Sequence, residues 1–177
     1  MAANAAPPSP ALHHSFLEIR LNSVVYAVAV EKVREIGQVG LITPLPNSSA
    51  YLCGLMNLRG QVLPIVDLKV RLGLLKTPLT RESCVIVIEG AQGPLGVLVD
   101  AVTRVVNIPT ENLLPTPDSC HLKDRSMVAA IARDEAGVIT VLDIGYCLDQ
   151  TPEGLPAATQ TSDPGQDLGL QSVKLLS

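Results

Sequence analysis

Residues 51–74 read YLCGLMNLRGQVLPIVDLKVRLGL. Two apolar runs, 51–58 and 62–66, flank Arg59-Gly60-Gln61, which predicts a strand, a tight turn and a returning strand, hence a β-hairpin. Val62-Leu63-Pro64-Ile65-Val66 is apolar on both faces of its strand, so it is expected to be covered from two sides. Pro64 offers no N–H to a ladder and belongs at an edge or a bulge. Asp67 closes the strand and is placed to cap one or two helical turns over 68–72, its carboxylate accepting from the first free N–H groups.

Upstream, 16–21 and 24–30 alternate around Asn22-Ser23 and predict a first hairpin. EKVREI at 31–36 sets Val33 and Ile36 on one apolar edge among Lys32, Arg34 and Glu35, a short helical turn or a bent strand. Residues 41–49, with Pro44 and Pro46, form an extended connection. Downstream the pattern restarts, with strands over 84–89, 95–99 and 102–108, a Pro-containing loop over 109–124, strands over 127–133 and 138–142, and a final turn of helix over 143–148. A shift of 69 lays Val28, Val30, Val33 and Ile36 on Val97, Val99, Val102 and Val105. A shift of 76 lays Leu52, Leu55, Leu63, Ile65 and Asp67 on Val128, Ile131, Ile139, Val141 and Asp143. The chain reads as an internal duplication, about five short strands in each half, folded as two small barrels side by side.

Composition narrows the function. Of 177 residues 47% are hydrophobic, but with one Phe, three Tyr and no Trp the core is aliphatic and β-branched, which favours strands. A net charge of −4 and 2% aromatics supply neither the basic stripe nor the stacking platforms of a nucleic-acid binder. Apolar runs fall short of the ~20 residues of a membrane span, and 1–14 lacks the basic and apolar regions of a signal peptide, so no membrane insertion and a cytoplasmic location are expected. Cys53, Cys84, Cys120 and Cys147 include no Cys-x-x-Cys pair and read as reduced apolar side chains, and Cys120-His121 reads as loop. By composition 1–14 and 151–177 are disordered tails around a duplicated domain over 15–150.

No phosphate-cradling loop, nucleophile elbow or His-Glu-x-x-His motif is present, and Asp67 and Asp143 have the local work of helix caps. Catalysis is therefore not expected, and no cofactor is called for. Binding remains. Arg59 stands at a turn where Asn, Gly or Asp would suit the backbone better, either as a solvated charge or as an ion-pair donor. Glu35, between apolar neighbours, is open to the same two readings.

NLRGQVLPIVDL at 57–68, with EKVREI at 31–36, PLGVLVDAV at 94–102 and ITVLDI at 139–144, resembles the CheW-like adaptor domains of bacterial chemotaxis over about 16–148. The resemblance implies an all-β fold of two five-stranded SH3-like barrels with a groove between them. It also implies a non-enzymatic adaptor joining methyl-accepting chemoreceptors to a CheA-type histidine kinase, or serving an array that controls pili, surface motility or second messengers. By position it implies that Val33, Glu35 and Ile36, with Val97 and Val99, line the receptor-facing groove, and that Arg59 is the Arg of the family's Asn-Leu-Arg-Gly motif, tied to receptor coupling. Kinase contact is assigned to one end of the first barrel, with Leu41, Pro44, Gly54 and Leu68. Ala130 and Ala136 depart from the family's frequent Gly.

Overall fold

The computed structural model describes residues 12–90, 92–117, 125–134, 137–149 and 159–160. The first half runs through β1 (His13–Leu21), β2 (Val24–Ala29), β3 (Val33–Gln38), β4 (Ile42–Thr43), β5 (Leu52–Leu58), β6 (Gln61–Asp67) and helix α1 (Leu68–Arg71). The second half repeats that order as β7 (Cys84–Gly90), β8 (Gly93–Val99), β9 (Ala101–Pro109), β10 (Leu113–Leu114), β11 (Val128–Asp134), β12 (Gly137–Leu142) and helix α2 (Ile144–Asp149). A two-residue strand, β13 (Thr159–Gln160), comes last.

Local chemistry sets these boundaries. Asn22, at φ 56°, turns β1 into β2, since the short Asn side chain tolerates the left-handed region. The Asp67 carboxylate accepts from the N–H groups of Lys69 (3.0 Å) and Val70 (3.3 Å), which starts α1, and Asp143 accepts from Tyr146 N at 3.0 Å at the start of α2. Residues 31–36 contain both expected forms in succession, a 3₁₀ turn at Val30–Lys32 and then β3.

The strand order is β10-β11-β12-β2-β1-β9 in one sheet and β4-β5-β6-β8-β7-β3 in the other. The pattern alone allots one barrel to each half, but the sheets cross over. Each takes its first hairpin from one half and its remaining strands from the other, joined by short parallel pairs, Val141 opposite Ala27 and Ile65 opposite Gly96. Irregularities recur too. A bulge falls where Val33 and Ile36 face Ile88 and Ile86, and again where Val102 and Val105 face Ile19 and Leu17. Another falls between Leu52 and Gly54, and again between Val128 and Ala130.

Three buried clusters result. Met56, Leu63, Ile65, Val85, Val87 and Leu98 fill one sheet's interior, and Phe16, Ala27, Ile108, Ala132, Ile139 and Val141 fill the other's. A larger cluster between them joins Leu17, Ile19, Val28, Ile86, Val97 and Leu142 with both helices through Leu68, Ile144 and Leu148. Residues 85–88 of β7 are thus all apolar because the odd ones face one cluster and the even ones the next. Pro64 sits in the part of β6 that β8 does not reach, β8 pairing only from Ile65 onward.

Strands reach into both expected tails. His13 and His14 pair with Pro109 and Ile108 of β9, and Thr159–Gln160 pairs with β6, because backbone pairing asks nothing of side-chain hydrophobicity. The 109–124 loop carries a 3₁₀ turn at Thr110–Asn112 and β10. Cys120-His121 lies outside the described residues, and Cys53 and Cys84 are free thiols. No described helix is long and apolar enough to cross a membrane.

Candidate functional site

The site is built where β3 meets the tip of the β5–β6 hairpin. Arg59 (φ 52°) and Gly60 (φ 86°) form a two-residue turn with both residues left-handed, the twist that matches antiparallel strands. Asn57 Oδ1 accepts from Gly60 N at 2.8 Å and braces it. Among the described residues the other non-glycine positions with positive φ are both Asn, so Arg59 is the one long side chain held in this conformation, at about 1–2 kcal/mol. That side chain is 76% exposed.

Arg59 Nε lies 2.9 Å from Glu35 Oε1. The N–H does not point at that oxygen, which is buried and receives no hydrogen bond, so the contact is coulombic. β3 comes this close because Gly37 lies against Leu58. A Cβ on Gly37 would meet Leu58 Cδ1 at 2.8 Å.

The bulge in β3 then sorts the neighbouring side chains. Val33 and Ile36 share the face of Ile88 and Ile86, while Glu35 shares that of Val87. Along one row, Ile36 lies opposite Ile86, and Ile86 opposite Val97. The row surfaces at Ile36, 42% exposed, and sinks to 1% at Val97. Val33 is half-buried on the shared core. Arg34, bonded to Glu89 at 2.5 Å, adds a second ion pair along this edge strand.

The implied residues therefore separate. Glu35 and Arg59 meet on one face of β3, while Val33 and Ile36 lie on its other face. Val97 and Val99, each 1% exposed, do not reach the surface; they belong to the core beneath, because β8 is an interior strand of its sheet. At the other end Leu41 is 87% exposed and Pro44 is exposed, flanking edge strand β4. Leu68 is wholly buried in the shared core, and Gly54 is buried at φ 139° with a Cβ position 2.1 Å from Thr43 O. These two hold that end from within and present no contact surface. A recess of about 310 Å³ beside it is lined by Ile42, Cys53, Asp67, Lys76 and Leu79. Burial, and then the Asp67 charge, raise the Cys53 thiol pKa above its ordinary value.

Sequence reasoning missed two polar clusters. Lys69, 1% exposed, bonds Thr77 Oγ1 at 2.6 Å and pairs with Asp100, whose other oxygen accepts from Asn22 N at 2.6 Å. Glu18, 4% exposed, receives Arg104 through Nε at 2.9 Å and a terminal nitrogen at 3.0 Å. Lys69 alternates with apolar residues as a solvated charge does, so its one hint is Leu68-Lys69-Val70 following a cap. Among the described residues no three of His, Cys, Asp or Glu gather as a metal site would require.

Residues 15–151 match the family model described as the CheW-like domain. The chain belongs to the CheW-like domain family. Within curated CheW-like proteins it is 33% identical to the chemotaxis protein CheW of Rhizobium meliloti, over 72% of this chain and 83% of that one. It is 32% identical to Protein FrzA of Myxococcus xanthus, over 66% and 70%. The crystal structure of scaffolding protein TtCheW from Thermoanaerobacter tengcongensis, a further CheW-like relative, superposes with a TM-score of 0.71 at 26% identity, covering 77% of this chain and 92% of that one. The two sheets are accordingly the two SH3-like subdomains of the family's all-β fold.

Proposed function

We propose that this chain is a chemotaxis adaptor, working in the cytoplasm and without a reaction of its own, that couples the tips of methyl-accepting chemoreceptors to a CheA-type histidine kinase. The observation that carries the reading is Arg59, exposed, strained and tethered only by charge to Glu35 beside the apolar strip of Val33 and Ile36. Strain kept at an exposed arginine is a sign of use at that position. A receptor helix would lay its apolar face on Val33 and Ile36, with Glu35 and Arg59 setting register at the rim. The kinase would take the β4 end through Leu41 and Pro44, and holding both partners at once raises the kinase's effective concentration at the receptor.

The test is capture of a receptor-tip fragment and of the kinase regulatory domain by wild type, Arg59→Ala and Glu35→Lys. Wild type is expected to hold both, and the variants to lose the receptor while keeping the kinase. Folded wild type that captures neither sinks the reading. An array controlling pili, surface motility or second messengers is a second reading, with the 32% identity to Protein FrzA as its support.

A further inference from the structure

The tip of the β5–β6 hairpin, which carries Arg59, reaches beyond the strands that flank it. On one side β4 pairs with β5 only at Leu55 and Met56. On the other, β8 pairs with β6 only over Ile65, Val66 and Asp67. β3 touches the tip at Gly37 and Glu35 without pairing with it. Residues 57–62 would therefore stand as a two-stranded ribbon, a form that is marginally stable in water, and this ribbon holds a long side chain in the left-handed region at Arg59. Among the described residues, one strand from outside the hairpin pairs with it there. β13 runs antiparallel to β6, with Thr159 opposite Val62 and Gln160 opposite Gln61.

The register sets this third strand next to the turn. Residues flanking a two-residue turn bond across their own hairpin, so Gln61 directs its N–H to Leu58. Val62, the next residue, directs its N–H and C=O the other way, to the side where Thr159 runs. The β13 pairing thus adjoins the Leu58–Gln61 pair that closes the turn. It complements the Asn57 side chain, which braces Gly60 N from within the turn at 2.8 Å. The pairing is made by backbone groups, so it asks of residue 159 only an N–H and an extended conformation.

We propose that β13 is a positioning strand for Arg59: by completing a three-stranded sheet at the hairpin tip, it holds closed the left-handed turn that presents the arginine to its partner. Strain at Arg59 favours opening of the tip, and a third strand beside the turn opposes it. The role at the receptor rests on the coupling reading above. Only the closed tip presents Arg59 in register, so apparent affinity falls in proportion to the closed fraction.

The test uses the full chain with Thr159→Pro, which removes the N–H, and Thr159→Val, which keeps it and suits a strand. Amide exchange is followed at Val62 for the β13 pairing, at Gln61 for the turn, and at Ile86, paired on both sides, for the fold as a whole. Affinity for a receptor-tip fragment is measured on the same samples. Thr159→Pro is expected to speed exchange at Val62 and Gln61 about tenfold with Ile86 unchanged, and to weaken fragment binding about two- to tenfold. Thr159→Val is expected to match wild type throughout. Adding Arg59→Gly, which relieves the strain, should shrink the response of Gln61 to the proline. Gln61 exchange indifferent to the proline, equally responsive to it in the Arg59→Gly background, or faster with affinity unchanged overturns the proposal. If folded wild type binds no fragment, the coupling reading fails and the role at the receptor with it; that outcome is recognised because Gln61 exchange still responds to the proline.

Discussion

β3 and β9 occupy equivalent places in the two repeats, each an edge strand, each with the same bulge, yet they use one position in opposite ways. Glu35 and Arg104 correspond under the shift of 69. Arg104 reaches inward and bonds a carboxylate, Glu18, that is 4% exposed, so its charge is committed to the fold. Glu35 meets an arginine that is 76% exposed and poorly aligned, so its charge is committed to nothing inside. The scaffold is common; the two edges differ in where the counter-charge sits.

The largest expected effect breaks the pair on β9. Arg104→Ala leaves Glu18, among the described residues, with the Thr103 hydroxyl as its side-chain partner, and should cost about 2 kcal/mol in urea unfolding. Glu35→Ala, the matching change on β3, should fall within about 0.5 kcal/mol of wild type. Comparable losses from the two would erase the distinction. Arg59→Gly should go the other way, stabilising by up to about 1 kcal/mol as the left-handed residue loses its Cβ, while receptor capture falls. A variant both less stable and still fully binding would contradict the functional reading of the strain. Ile36→Asp and Val105→Asp, 42% and 56% exposed in the parents, should each move stability by less than about 1 kcal/mol, and only the first should weaken receptor capture.

The smallest effect is read through Cys84, which lies opposite Gln38 of β3 and whose thiol pKa is raised by burial. Its modification by a thiol reagent should be slow near neutral pH and speed up only as pH climbs past the ordinary thiol range. With the folded pKa raised, the unfolded chain loses its proton first, so stability is full below the unfolded pKa and declines as pH rises above it. A melting temperature that climbs over that range would refute the sign.

Much of this was legible from pattern. The hairpin around Arg59-Gly60, both Asp caps and the two-sided burial of 62–66 arise from local chemistry, and the structure has them. The unsuitability of arginine for its turn was readable too, and its positive φ is the physical form of that mismatch. Periodicity tells which face of a strand is covered but not by what. Val97 and Val99 could be matched to a groove by position, whereas their burial depends on β8 pairing with β6 and β7 across the sheet. Lys69 was missed for the same reason. Its partner Asp100 is 31 residues away, and no local spacing announces it. β13 was hidden because two polar residues add a strand through their backbones alone.

The exchange of hairpins has a consequence for how the molecule is made. β2 cannot find its parallel neighbour until β12, at Gly137–Leu142, has been synthesised, and β1 must wait for β9. The leading hairpin therefore spends most of translation with its edges uncovered, and the final sheet closes through contacts distant in sequence, the slow class of folding event. A ribosome stalled within the second repeat would hold an exposed aliphatic ribbon rather than a finished first barrel.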